Sequence, residues 1–300
     1  MAWYQEPARA TTGGAEYTFN GQKTTNSPVD EYAVDGTARI TLDTSRFPSL
    51  VSVLPAIAIG VTEYLLFAGS ASAAAWGYFA IVLVCVLAPL RLHKQVAVFL
   101  AFGFLAMLRL VTLGMPVFGG TTLQWLVFIY LPFIPAVYIG GYGLPEIAIS
   151  VRYKITAATL PFGIGLGVLL AELGYWLIAP DTLLSGGSLE TLLIFTAIMV
   201  VCVGLGEELI FRGLVQQSLQ NSIGKWPGVV IASLIFGWMH VGFGLPSAVV
   251  FGVIVGLVLG SIYAYSRSIG LVTVIHGSMN VFLFGVIPVF GSVAIHLPGL

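Results

Sequence analysis

From Leu50 onward the chain is an almost unbroken series of apolar runs, and this constrains its fold more than any other feature. A bilayer core of about 30 Å takes about 20 helical residues at 1.5 Å each. The pattern predicts spans near 50–68, 73–90, 96–117, 123–141, 156–179, 189–212, 228–243, 246–265 and 270–290. Gly120, Gly141, Pro145, Pro180, Pro227, Pro246 and Gly270 mark breaks between them. The run 228–243 is short, and the loop 241–247 is expected at membrane depth against a cavity. The fold class is therefore all-α, a polytopic membrane helical bundle of eight or nine transmembrane helices. Composition agrees: 58% of residues are hydrophobic and 8% charged, where a soluble domain carries about 25% charge. A formal net charge of −1 argues against a nucleic-acid partner and against an acidic solvating tail. The partner this composition demands is a lipid bilayer.

Residues 1–48 differ from the rest, holding four of the 12 basic and six of the 13 acidic residues. They are expected to be a solvated polar tail, disordered or weakly structured, although Ala38–Leu42 alternates like a short strand. No apolar run there is long enough for a signal-peptide core. Cys85 and Cys202 both sit in apolar runs, so they are expected to be small buried hydrophobes rather than a disulfide.

Positive charge sets the expected orientation. Arg46 precedes the first span; Arg91 and Lys94 follow the second, Arg152 and Lys154 the fourth, Arg212 and Lys225 the sixth, and Arg267 the eighth. The intervening loops, near 69–72, 118–121, 180–188 and 241–247, contain no Lys or Arg. This alternation implies a multi-pass protein with a cytoplasmic N-terminus and fits a cell membrane. Gly252, Gly256 and Gly260 recur on one helix face, a spacing that lets helices approach closely.

A charge at mid-membrane costs at least about 2.5–3.5 kcal/mol, so each ionisable group there is a functional candidate. The candidates are Glu63, Arg109, Glu172, Glu207, Glu208, Arg212, His240 and His276. Glu63, Arg109 and Glu172 stand alone on their helices and are expected to have structural partners. The other five cluster in the last third of the chain with Asn280.

Within GEELIFRG (Gly206–Gly213), Glu207 and Glu208 project about 100° apart around a helix and so cannot share a role. Glu208 and Arg212, at i and i+4, are expected to pair. Glu207 has no local cation and is the candidate general base. In FGWMH, His240 lies 17 residues after a turn near Ile223, and Glu207 lies 16 before it. An antiparallel hairpin would put them at one depth, if the first helix continues to about Gln220. In HGSMN, His276 and Asn280 share a face and offer two donors suited to a developing oxyanion. Each motif alone also fits helix packing and interhelical hydrogen bonding.

Other membrane chemistries lack their residues. No Asp lies within a span, and no Gly-x-Ser-Gly, His-Glu-x-x-His, P-loop or dinucleotide fingerprint occurs.

The three motifs in this order, EExxxR at Glu207, Glu208 and Arg212, FxxxH at Phe236 and His240, and HxxxN at His276 and Asn280, resemble the CPBP family. This family groups CAAX prenyl proteases with bacteriocin-processing and abortive-infection-type proteins, and includes intramembrane glutamic endopeptidases. The resemblance covers roughly residues 155–290, which implies N-terminal transmembrane helices at 49–154 and a catalytic membrane core at 155–300. It implies that Glu207 and His240 activate a water, that His276 and Asn280 hold the oxyanion, and that Glu208 and Arg212 support them. No cofactor is then required, and the substrate is a protein or peptide, lipidated or membrane-bound. Two alternatives stay open. Glu208, His240 and His276 could be zinc ligands with an open fourth position. A non-enzymatic membrane scaffold, immunity factor or carrier could use the same buried charges as packing glue.

Overall fold

The computed structural model describes residues 50–115, 121–144, 159–184 and 186–291. The N-terminal tail at 1–48, with the candidate strand Ala38–Leu42 and Arg46, lies outside the described residues, as do Arg152 and Lys154. Among the described residues every regular element is helical. In chain order they are α1 (Leu54–Phe67), α2 (Ala71–Leu87), α3 (Val96–Leu113), α4 (Thr122–Tyr142) and α5 (Thr159–Ile178). Then follow α6 (Leu189–Ile223), α7 (Lys225–Trp238), α8 (Pro246–Ser266) and α9 (Ile269–Phe290).

Among the described residues eight helices are long and apolar enough to cross a membrane, α7 reaching that length with the turn that continues it to Phe243, and α1, at 14 residues, is the shorter apolar exception. The chain is an integral, multi-pass membrane protein. Large apolar side chains such as Trp76, Phe128, Ile139 and Trp176 face outward, as they must where the surroundings are hydrocarbon.

Local chemistry ends the helices where backbone groups would otherwise lack partners. Ser188 Oγ accepts the Thr191 N–H at 3.1 Å to start α6, and Ser268 Oγ accepts that of Leu271 at 3.2 Å to start α9. Gly224, at φ +99, reverses the chain between α6 and α7. Pro246 opens α8 after a short 3-10 turn at Val241–Phe243, inside the segment expected as a loop. Cys85 and Cys202 are both buried free thiols.

Two expectations about the sixth span need correction. It runs to Ile223 instead of ending at 212, because Gln216, Gln217, Ser218 and Gln220 are buried against neighbouring helices. Gln216 Nε2 donates to the Gly260 carbonyl at 2.9 Å, and Gln217 Nε2 to the Tyr263 hydroxyl at 2.8 Å, so these polar residues continue a helix rather than begin a loop. Consequently Arg212 is not a loop charge. It is wholly buried in mid-helix, and Lys225 alone marks that turn, its ammonium 3.8 Å from the centre of the Tyr265 ring.

The core is built around α6 and α9, which pack against each other and against α4, α5 and α3. Small residues permit the approach. A Cβ at Gly277 of α9 would meet Val200 Cα at 2.8 Å, and one at Gly167 of α5 would meet the Ile275 carbonyl oxygen at 2.6 Å. The predicted glycine face of α8 lies on α7: Cβ atoms at Gly252 and Gly256 would stand 2.9 Å from Gly237 Cα and Ser233 Cα.

Candidate active site

Within α6 the residues Gly206–Glu208 form one regular helical turn between two wider π-type stretches, Ile198–Leu205 and Leu209–Gln216. Such wide turns alter the direction of side chains along a helix and concentrate at functional sites. Here they frame the two carboxylates.

Glu207 and Glu208 take different partners, as their angular separation requires. Glu208 is fully buried, with Oε2 3.1 Å from Arg212 Nε and Oε1 2.8 Å from His276 Nδ1. The expected i, i+4 pair is therefore present, though the Arg212 N–H groups are not aligned into hydrogen bonds. The guanidinium also lies over the Phe236 ring, 5.1 Å from its centre. Glu207 is the more open carboxylate, its side chain 18% exposed. Its Oε1 accepts the Tyr130 hydroxyl at 2.7 Å, and its Oε2 stands 3.9 Å from His276 Nε2.

His276 thus lies between the carboxylates. A carboxylate can only accept, so Nδ1 carries the proton given to Glu208, and Nε2 is the nitrogen turned towards Glu207. Asn280, one turn further along α9, is buried as well.

His240 ends α7. The Phe236 carbonyl accepts its Nδ1–H at 2.8 Å, which leaves Nε2 free to accept. Phe236 ties this histidine to the other: its ring centre is 5.1 Å from that of His240 and 5.8 Å from that of His276. The hairpin thus brings His240 to the His276 side of the site, with the Phe236 ring between the two imidazoles. On the far side, a Cβ at Gly252 would lie 3.0 Å from His240 Nδ1.

Glu63 and Arg109, each alone on its helix, pair with each other. Arg109 Nε and Nη2 donate to Oε1 and Oε2 of Glu63 at 2.6 and 2.7 Å, joining α1 to α3. Tyr130 was not among the sequence-derived candidates. A tyrosine in an apolar run carries no charge to make it conspicuous, and its partner lies 77 residues away.

Among the described residues no three or more His, Cys, Asp or Glu side chains are grouped to hold a metal ion.

Residues 189–282 match the type II CAAX prenyl endopeptidase Rce1-like family. The chain carries an Rce1-like peptidase domain. This domain extends from the start of α6 into α9 and contains Glu207, Glu208, Arg212, His240, His276 and Asn280. It agrees with the CPBP resemblance and makes the protein an enzyme, a CAAX-type membrane protease whose substrate is a protein or peptide. No curated protein and no solved structure matches the chain.

Proposed function

We propose that the protein is a metal-independent intramembrane endopeptidase that uses Glu207 as general base. The observation that supports this most is the division of labour around His276: Glu208 holds Nδ1 at 2.8 Å, and Nε2 faces the more open Glu207 at 3.9 Å. Glu207 takes a proton from a water oriented by His240 Nε2, and the resulting hydroxide attacks the scissile carbonyl carbon. His276 Nε2–H and the Asn280 carboxamide donate to the oxyanion as it forms. Collapse of the tetrahedral intermediate breaks the C–N bond, and the proton on Glu207 passes to the departing amine.

For Nε2 to donate while Nδ1–H bonds Glu208, the His276 ring carries both protons in this mechanism; Glu208 holds that ring, and Arg212 pairs with Glu208. The substrate would be lipidated or membrane-bound, since the site lies within the helical bundle. The protein would reside in a cell membrane with its N-terminus in the cytoplasm and α1 crossing as a ninth, short span, as Arg91 and Lys94, Arg152 and Lys154, Lys225, and Arg267 occupy every second connection.

The test is cleavage of a fluorogenic peptide library by purified protein, wild type beside Glu207→Gln, with and without a strong chelator. The expected outcome is cleavage that the variant lacks and the chelator leaves untouched. Cleavage abolished by chelator would transfer these residues to a metal site; cleavage surviving in Glu207→Gln would remove the general base from this assignment.

A further inference from the structure

The hydroxyl bonded to Glu207 belongs to α4, outside the Rce1-like segment at 189–282. A carboxylate has two oxygens and several rotamers of similar energy, and a general base works only when the correct oxygen faces the water. On Glu207, Oε1 accepts the Tyr130 O–H at 2.7 Å, while Oε2 is the oxygen on the His276 side. The bond therefore distinguishes two otherwise equivalent atoms.

The Tyr130 ring is itself fixed. It is 6% exposed, and it lies against Gly206, the residue immediately before the base. A Cβ at Gly206 would stand 2.6 Å from Tyr130 Cδ1, closer than real Cβ contacts come. The ring can occupy this place only because position 206 has no side chain, and in this place its hydroxyl reaches Glu207. The hydrogen bond and the missing Cβ are separate observations, and both make α4 part of the same arrangement.

We infer that Tyr130 is a positioning residue for Glu207, supplied by an N-terminal helix, and that the Rce1-like segment is incomplete as a catalytic unit without α4. This rests on Glu207 being the general base. Tyr130 need not touch substrate. It holds Oε1 so that Oε2 is presented to the water.

The test uses the full chain in detergent, comparing wild type, Tyr130→Phe, Gly206→Ala and Glu207→Gln, each checked for an unchanged melting midpoint. Tyr130→Phe keeps the ring and removes only the hydroxyl. Its kcat is expected to fall about 10- to 100-fold, the range for losing a hydrogen bond to a charged group, with KM unchanged. Gly206→Ala retains the hydroxyl but displaces the ring, and should lower kcat in the same way. A second readout requires no substrate. The infrared carboxylate band of Glu207, isolated as wild type minus Glu207→Gln, should shift in Tyr130→Phe.

Wild-type kcat in Tyr130→Phe, a loss confined to KM, or an unshifted carboxylate band would overturn the inference. Cleavage persisting in Glu207→Gln would instead overturn the general-base reading beneath it, so the two failures are distinguishable.

Discussion

Glu208 Oε1 and His276 Nδ1 meet at 2.8 Å, linking α6 to α9 across 68 residues of sequence. The same carboxylate stands 3.1 Å from Arg212, so one buried anion holds both a cation and the site histidine. Its removal should cost more than one interaction. Breaking a buried pair from one side costs about 3–5 kcal/mol, because the remaining charge is left uncompensated. Glu208→Leu is therefore expected to lower the melting midpoint strongly and to abolish cleavage. The double variant Glu208→Leu with Arg212→Met should recover stability without recovering activity, as the lone guanidinium is gone but His276 still lacks its acceptor. Thermal melting and a cleavage assay on purified protein would check both.

In the proposed mechanism Asn280 serves the oxyanion and not folding. Losing one such donor costs about 10²–10³ in rate. Asn280→Ala is expected to reduce kcat by that factor with the melting midpoint nearly unchanged. Wild-type turnover in this variant would withdraw the assignment.

Gly252 and His240 make a steric prediction. A Cβ on Gly252 would lie 3.0 Å from His240 Nδ1 and 2.9 Å from Gly237 Cα, and backbone on that side cannot swing aside as a flexible side chain can. Overpacking of this kind costs about 1–3 kcal/mol. Gly252→Ala should lower the melting midpoint and, by displacing His240, reduce kcat. Gly165 offers the control: nothing lies within 4 Å of a Cβ there, so Gly165→Ala should leave both quantities near wild type.

The Glu63–Arg109 pair is bidentate and almost wholly removed from solvent, with side-chain exposures of 0% and 12%. Arg109→Met alone leaves Glu63 buried and unpaired and should destabilise the protein by about 3–5 kcal/mol. Replacing both, Glu63→Leu with Arg109→Met, should restore much of that loss. A double-mutant cycle on melting midpoints would measure the coupling, and additive effects would show that the pair contributes little.

The apolar runs were legible as helices because a bilayer imposes a length and forbids unsatisfied backbone, which turns hydropathy into topology. The same rule made each intramembrane ionisable residue conspicuous, so Glu207, Glu208, Arg212, His240, His276 and Asn280 could be named from motif spacing. The i, i+4 relation of Glu208 and Arg212 is local helix geometry, and the structure keeps it. The end of α6 was misread at 212 because Gln216 and Gln217 look like loop residues until α8 supplies their partners.

What the sequence by itself determined was therefore everything that periodicity and hydrophobic length control: a helical membrane bundle, its approximate spans, and the set of charged residues with no business in lipid. Only the tertiary structure decided which of them meet. That His276 bonds Glu208 and faces Glu207, that Glu63 finds Arg109, and that a neutral tyrosine reaches the candidate base all depend on helices packed from distant parts of the chain. Side-chain periodicity tells which face a residue occupies. It carries no information about which other face lies opposite, because that is set by the shapes and small residues through which the helices pack.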